Sequence, residues 1–313
     1  MGPHTLRYGV QIACDGMSWP ECLEICQAAE RLGYESVWVP DHYVSTPDAL
    51  APDVRGPLLD GWTALAAMAQ ATERVRLGPL VASATFRNPG VLAKLGATID
   101  HISGGRLELG MGAGWFEFEH ASLGIPFPSV GERLRQLEEA VQIVKALWTQ
   151  ASVDFEGRYY TLRGAVSEPK PIQKPTPPLT IGASGEKVAL RNVARYADHW
   201  NTYCTPDDYA SKRAALERHC EALGRDPSEI HRSLMMPLYL DEDAAVRGKV
   251  EHWGSMVRAA PEQAREWFLI GDRSEIRERI DRFAEQGVQT LIVQVDHAGR
   301  NVETLERFAN DFM

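Results

Sequence analysis

The chain has 313 residues, 44% hydrophobic and 24% charged, a globular composition that excludes disordered and collagen-like chains. Lys and Arg total 33 against 43 Asp and Glu, and the net charge of −10 argues against nucleic acid and anionic lipid as partners. No apolar run reaches the ~18 residues of a membrane span and the first residues hold no signal-peptide core, so the expectation is a cytoplasmic protein acting on a small molecule.

Two hydrophobic periods alternate along the chain. Strand-length β-branched runs at Leu6–Gln11, Ser36–Pro40, Arg76–Val81 and Leu107–Gly112 are separated by helical spacing at Trp19–Leu32, Gly61–Thr72 and Gly90–Ile102. The clearest helix is Gly131–Gln150, with Leu134, Leu137, Val141, Val144 and Leu147 on one face. Strand Leu179–Gly182, helix Lys187–Tyr196, a very short strand at His199–Thr202 and helix Pro206–Leu223 come next. Strand Ile230–Leu240, helix Ser274–Gln286 and strand Thr290–Val295 complete the series. Strand and helix in strict alternation imply parallel pairing through right-handed crossovers.

The reading is an α/β fold, a single (β/α)8 TIM barrel forming one domain over residues 1–313. Length alone, at ~150 residues per domain, suggests two domains, but such barrels reach about 250 residues as one. An open doubly wound sheet competes, and the count near eight and the lack of a nucleotide fingerprint weigh against it. Insertions are expected after strand two (Val44–Asp60), after strand four (Ala113–Val130) and after strand seven (Ala244–Trp267). Another lies before strand five, at Asp154–Pro178, with a hairpin at Phe155–Leu162 and the stiff run EPKPIQKPTPP. Cys14, Cys22, Cys26, Cys204 and Cys220 contain no CxxC pair, which points to reduced thiols.

Four segments are candidates for chemistry. Asp41-His42 follows strand two, where polar residues at a barrel strand's C-terminal end read as site residues, and His42 is suited to proton transfer. A loop-pinning Asp–His pair is the other reading. Leu77–Pro89 has a proline inside a strand, which signals a bulge, and Asn88-Pro89 opens the next helix. Gly110–Trp115 fails the dinucleotide pattern, because Trp115 stands at the third glycine position and no helix follows directly. It is either a strand end that a flat ligand approaches closely or a tight turn. Ile181–Lys187 presents backbone N–H groups at a helix start, which is either a phosphate site or a helix capped by Ser184. His101, His199 and His297 are weaker candidates. No HExxH and no GxSxG occurs, so no metal and no serine-hydrolase elbow is expected.

The segments VWVPDHY (37–43), LGPLVASATFRNPGVLAK (77–94), TIDHISGGRLELGMGAGWFEFEH (98–120), PLTIGASGEKVALRNVARYADHWN (178–201) and IGDRSEIRERIDRFAEQGVQTLIVQV (270–295) occur in that order. Together they resemble the bacterial luciferase-like superfamily, in its branch of deazaflavin-dependent oxidoreductases, from about Tyr8 to Val295. The resemblance implies a flavin-type ring over the C-terminal ends of the strands. It places a non-prolyl cis peptide at Leu80–Val81, with Leu80, Val81 and Ala82 under the ring and Asp41 and His42 beside it. Gly112, Ala113 and Gly114 would line the approach, and Gly182, Ala183, Ser184 and Gly185 would hold the phosphate.

Two departures are informative. Ala183-Ser184 occupies part of a stretch where many relatives have two glycines. Trp115 stands where a sugar-phosphate dehydrogenase branch carries a glutamate proton donor, which speaks against that activity. His42 is then the general acid–base, with Glu117 second. The implied cofactor is coenzyme F420, favoured over FMN by GMGAGW and IGASGEK, and the implied reaction is hydride transfer to or from a small organic substrate. The alternatives are a monooxygenase using reduced FMN and a non-catalytic flavin-binding barrel, the latter marked by a buried His42 and a pocket filled by Trp115 and Phe116. A homodimer formed through the early helices is also implied.

Overall fold

Strands and helices alternate through the computed structural model, which describes residues 6–45, 56–295 and 301–313. The first half runs β1 (Arg7–Ile12), α1 (Trp19–Leu32), β2 (Ser36–Val39), α2 (Gly61–Gln70), β3 (Arg76–Pro79), β4 (Ala82–Ser83), α3 (Pro89–Ile102), β5 (Leu109–Gly112), α4 (Glu117–Ser122) and α5 (Val130–Thr149). A hairpin of β6 (Val153–Glu156) and β7 (Thr161–Ala165) precedes β8 (Leu179–Gly182), α6 (Ala189–Tyr196), β9 (His199–Thr202) and α7 (Pro206–Leu223). The chain closes with β10 (His231–Tyr239), α8 (Ala244–Val257), α9 (Pro261–Ala264), β11 (Leu269–Ile270), α10 (Arg273–Glu285), β12 (Thr290–Val295) and α11 (Asn301–Phe312).

The main sheet is parallel throughout, in the order β3-β2-β1-β12-β10-β9-β8-β5-β4, with β11 beside the end of β10. β3 and β4 are two halves of one barrel strand, divided at the cis peptide Leu80–Val81; the first lies within the predicted Arg76–Val81 and the second falls beyond it. The first half pairs with β2 and the second with β5, so the two ends of the path meet within one strand and the barrel is nearly closed. Counted that way it has the eight strands expected. Among the described residues no helix is long and apolar enough to cross a membrane.

Local chemistry sets the element ends. Ser18 and Glu21 form a capping box on α1, Gly33 ends that helix in the left-handed region, and the Asn88 side chain accepts the Gly90 N–H at 2.8 Å ahead of Pro89. The boundaries depart from the reading in several places. Leu107 forms only an isolated bridge to Leu77, so β5 starts at Leu109. α6 starts at Ala189 rather than Lys187, and no side chain caps it, so Ser184 is not its cap. The segment after Trp115, read as loop, contains α4. The C-terminal α11 was not anticipated, although Leu305, Phe308 and Phe312 have helical spacing and are buried. Residues 46–55 of the expected insertion after strand two, and His297, lie outside the described residues.

Outward-facing strand residues such as Val10, Ile12, Val37 and Leu77 pack under the helices. α3 and α5 approach closely because Gly96 leaves room for Trp148: a Cβ on Gly96 would lie 2.8 Å from the indole, whose Nε1 donates to Ala93 O at 2.8 Å. Inside the barrel, Trp38, Leu80 and Ile292 form a small apolar layer, with Val81 and Met235 against it.

Below that layer, the N-terminal ends of the strands are polar. Glu108 pairs with Arg76 and, at 3.3 Å, with His199 Nδ1. Arg7 Nη2 donates to His231 Nδ1 at 3.0 Å, so the neutral ring carries its proton on Nε2, which meets Thr290 Oγ1 at 2.9 Å. Burial alone would raise the Glu108 carboxyl, but His199 and Arg76 outweigh it and lower it to about 2. Burial, followed by the charges of His199 and Arg7, lowers His231 to about 3.

Both groups sit below their ordinary values in the folded state, so both make the fold weaker in acid. The unfolded chain takes up a proton on His231 below its ordinary 6.5, while the folded chain resists until about 3. Glu108 adds a further loss as pH falls from 4.5 toward 2. Urea unfolding of the wild type is expected to lose stability between pH 6.5 and 4 more steeply than His231→Asn. Equal slopes would mean that the ring titrates alike in both states.

Candidate active site

The residues assigned to the site by resemblance sit at the C-terminal ends of the strands, the end at which barrels of this kind assemble sites, whereas His199 opens β9 at the other end and His101 lies on α3. Asp41 and His42 follow β2, Leu80–Ala82 join β3 to β4, Gly112–Gly114 end β5, and Gly182–Gly185 end β8. Opposite strand ends thus carry the ionic plug and the candidate site.

Asp41 and His42 are neighbours in sequence with separate partners. Asp41 is 3% exposed, and its carboxylate takes Arg87 Nη1 at 2.7 and 2.6 Å and the Ser83 N–H at 3.0 Å. Burial pushes this carboxyl up, and Arg87 and the Ser83 N–H oppose it. The Arg87 guanidinium also lies 3.7 Å from Asp60 and over the rings of Tyr43 and Trp62. These contacts hold Asp41 in place and leave it little freedom to exchange a proton.

His42 Nδ1 donates to Glu119 Oε2 at 3.0 Å. Glu119 comes from α4 and is fully buried; its other oxygen accepts the Tyr43 N–H and, at 2.9 Å, the Val44 N–H. Burial would raise this carboxyl, but His42 and the two backbone donors outweigh it and hold it below the ordinary value. With Nδ1 committed, Nε2 has no partner among the described residues, and the His42 side chain keeps 20% of its surface exposed. A carboxylate behind Nδ1 fixes the tautomer and leaves Nε2 to take or give a proton.

The sequence reading missed Glu119 and favoured Glu117, which is exposed. Phe116, Glu119 and His120 are all buried, at positions i, i+3 and i+4 of one turn, a spacing that so short a segment does not single out in sequence. His120 is fully buried as well. Its Nδ1 meets the Phe116 carbonyl at 2.8 Å, so in the neutral ring Nε2 accepts from Thr85 Oγ1 at 2.7 Å, and Thr85 accepts from Ser83 Oγ at 2.7 Å. Gly114, at φ +76°, covers this chain of bonds; a Cβ there would lie 2.6 Å from Ser83 Oγ.

Glycines on two strands surround Val81. A Cβ on Gly112 would stand 2.5 Å from its Cγ2, and one on Gly182 3.1 Å from its Cγ1. Val81 therefore stands as a narrow step between two smooth strand ends. Gln11 Nε2 donates to Leu80 O at 2.8 Å, while the buried Gln11 Oε1 has no hydrogen-bond partner. Past Gly182, Ala183 N donates to Asn201 O at 2.9 Å and Ser184 Oγ meets Thr202 Oγ1 at 3.1 Å. The N–H groups of Ser184 to Lys187 find no acceptor among the described residues, and they precede the positive end of α6. A flat ring over Val81 with an anionic tail at Ser184–Lys187 fits these surfaces.

An eight-stranded parallel barrel with a histidine–carboxylate pair and a glycine-walled cradle at its C-terminal end defines the class. The family model for luciferase-like monooxygenases matches residues 3–263, and the chain belongs to that family. An uncharacterized protein of Mycobacterium tuberculosis is 34% identical over 209 residues, covering 63% of this chain and 73% of that one. The F420-dependent glucose-6-phosphate dehydrogenase of Kineococcus radiotolerans is 29% identical over 315 residues, covering 92% of this chain and 90% of its own. A solved F420-dependent secondary alcohol dehydrogenase, in complex with an F420-acetone adduct, has a TM-score of 0.84 at 24% identity and covers 98% of both chains, a likeness of fold.

Proposed function

We propose that the protein is an F420-dependent oxidoreductase that transfers a hydride between the deazaflavin and a small organic substrate. The observation that carries this reading is His42, fixed through Nδ1 by buried Glu119 with Nε2 free, beside the Val81 cradle of Gly112 and Gly182. The likeness to F420-dependent dehydrogenases over nearly the whole chain supports it. When bound, F420 supplies two-electron hydride chemistry; the protein supplies placement, exclusion of water and a proton.

Each residue then has a role. Leu80, Val81 and Ala82 support the ring, Gly112, Ala113 and Gly114 leave its approach open, and Gly182, Ala183, Ser184 and Gly185 hold the phosphate through backbone N–H groups. His42 takes or gives the proton at Nε2. Asp41 and Glu119 are positioning residues, one fixing the β2 loop to Arg87 and the other fixing the imidazole. Against a non-catalytic barrel stand the exposed Trp115 and, among the described residues, a His42 Nε2 without a partner, while Phe116 is buried. The same reading takes residues 1–313 as one domain and the protein as a cytoplasmic homodimer.

Parallel titrations with F420 and FMN test the cofactor. Tight binding of F420 and weak binding of FMN are expected, and Gly185→Val is expected to weaken F420 binding about tenfold by obstructing the N–H cradle. Preference for FMN, with oxygen consumption by the reduced flavin, would turn the reading to a monooxygenase. Unchanged affinity in Gly185→Val would remove the phosphate assignment.

A further inference from the structure

A buried hydroxyl without a hydrogen-bond partner is costly, and an ion or ligand is one way to satisfy it. Tyr209 of α7 is such a group: the residue is fully buried, and its hydroxyl has no partner among the described residues. Its ring stacks on Trp200 of β9, with centres 5.4 Å apart and planes 14° apart, and Phe283 of α10 meets it edge-on at 6.1 Å. The ring is held from both sides. Burial pushes the phenol up, so the hydroxyl keeps a proton to donate.

Two guanidinium groups converge beside it. Trp200 pairs in register with Arg232 at the start of β10, which brings that arginine next to the tyrosine stacked on the indole. Arg213 follows Tyr209 by one turn on the same face of α7. Both arginines reach the turn after α10: a Cβ on Gly287 would stand 3.6 Å from Arg232 Nη2 and 3.8 Å from Arg213 Nη1. Arg213 is partly committed, its Nη1 donating to Gln286 O at 2.7 Å and its Nε lying 3.5 Å from Glu217. Arg232 is uncommitted: among the described residues its guanidinium meets neither a carbonyl nor a carboxylate, and its Nε is buried without a partner. Like charges held this close repel each other, and an anion between them reverses the sign of that interaction.

We propose that Arg213, Arg232 and the Tyr209 hydroxyl form a binding site for a phosphate group, at the N-terminal end of the barrel strands and apart from the cofactor cradle. The guanidinium edges supply charge-assisted donors and the hydroxyl supplies one more. That set matches the several acceptor oxygens of a phosphate better than the two of a carboxylate. The bound group ties α7, β10 and the turn after α10 to one another.

Nitrogen-15 NMR of the arginine side chains in the full chain tests this. Inorganic phosphate is the probe, with sodium acetate and sodium chloride at equal ionic strength as controls. The Arg232 Nε–H signal, identified by its loss in Arg232→Gln, is expected to shift and saturate with phosphate and to move much less with acetate. Tyr209→Phe keeps the stacked ring and is expected to weaken phosphate binding about threefold. Arg232→Gln, followed at the Arg213 signal, is expected to weaken it about tenfold. Gly185→Val is expected to leave the response of both signals unchanged, because the cofactor cradle lies at the other end of the strands. A linear shift shared by chloride means an adventitious ion only and overturns the site. Acetate binding as tight as phosphate, unchanged affinity in both Tyr209→Phe and Arg232→Gln, or a response lost in Gly185→Val overturns it as well.

Discussion

Replacing His42 with alanine is expected to lower turnover about 10²–10⁴-fold while F420 binding stays within about twofold, because proton transfer contributes only in the transition state. Pre-steady-state hydride transfer and an equilibrium titration measure the two quantities separately. Glu119→Gln is the sharper companion. It keeps an oxygen that can accept from Nδ1 but removes the charge behind the imidazole, so turnover falls about tenfold. Turnover unchanged in His42→Ala would take the residue out of the mechanism.

Arg87→Met is expected to destabilise the fold by about 3–5 kcal/mol at neutral pH, the usual result of removing one partner from a buried ion pair. Its partner Asp41 is nearly inaccessible, and among the described residues only the Ser83 N–H bonds the carboxylate besides Arg87. Burial already pushes the carboxyl up, so losing Arg87 leaves Asp41 easily neutralised. The deficit should accordingly shrink as pH falls. Asp41→Asn in the same background is expected to recover a large part of it, because the amide oxygen still accepts from Ser83 N without a charge to bury. Urea unfolding of the two single variants and the double variant makes this a closed cycle. A loss below about 1 kcal/mol in Arg87→Met with no recovery would mean that the pair contributes little.

The barrel was legible in the sequence because each buried strand is a short β-branched run and each helix carries a clear apolar stripe. Leu134, Leu137, Val141, Val144 and Leu147 mark α5 without ambiguity, and all but Leu134 are fully buried. The cis bond at Leu80–Val81 was legible only through family resemblance, since nothing in LGPLVAS announces it. Glu119 was not legible. FEFEH alternates charged and aromatic residues in a helix of only six residues, too short for periodicity to declare a face, and contact with His42 decides which glutamate turns inward. Ser184 misled for a related reason: a serine before a helical stretch suggests a cap, but a turn over residues 186–188 intervenes before α6 begins. The ends of α4 and α6 are decided by tertiary partners that a local window does not contain.

Asp41 and His42 each commit the β2 loop to a different neighbour, the first to Ser83 in β4 and Arg87 after it, the second to Glu119 after β5. Three consecutive βα units are therefore fastened together by two adjacent side chains. The loops of this barrel are consequently not independent cassettes. A chimaera that imports residues 113–129 from a relative must bring an acid at position 119, or the histidine two units earlier loses its orientation. Redesign of substrate preference has more freedom at Trp115, which faces solvent.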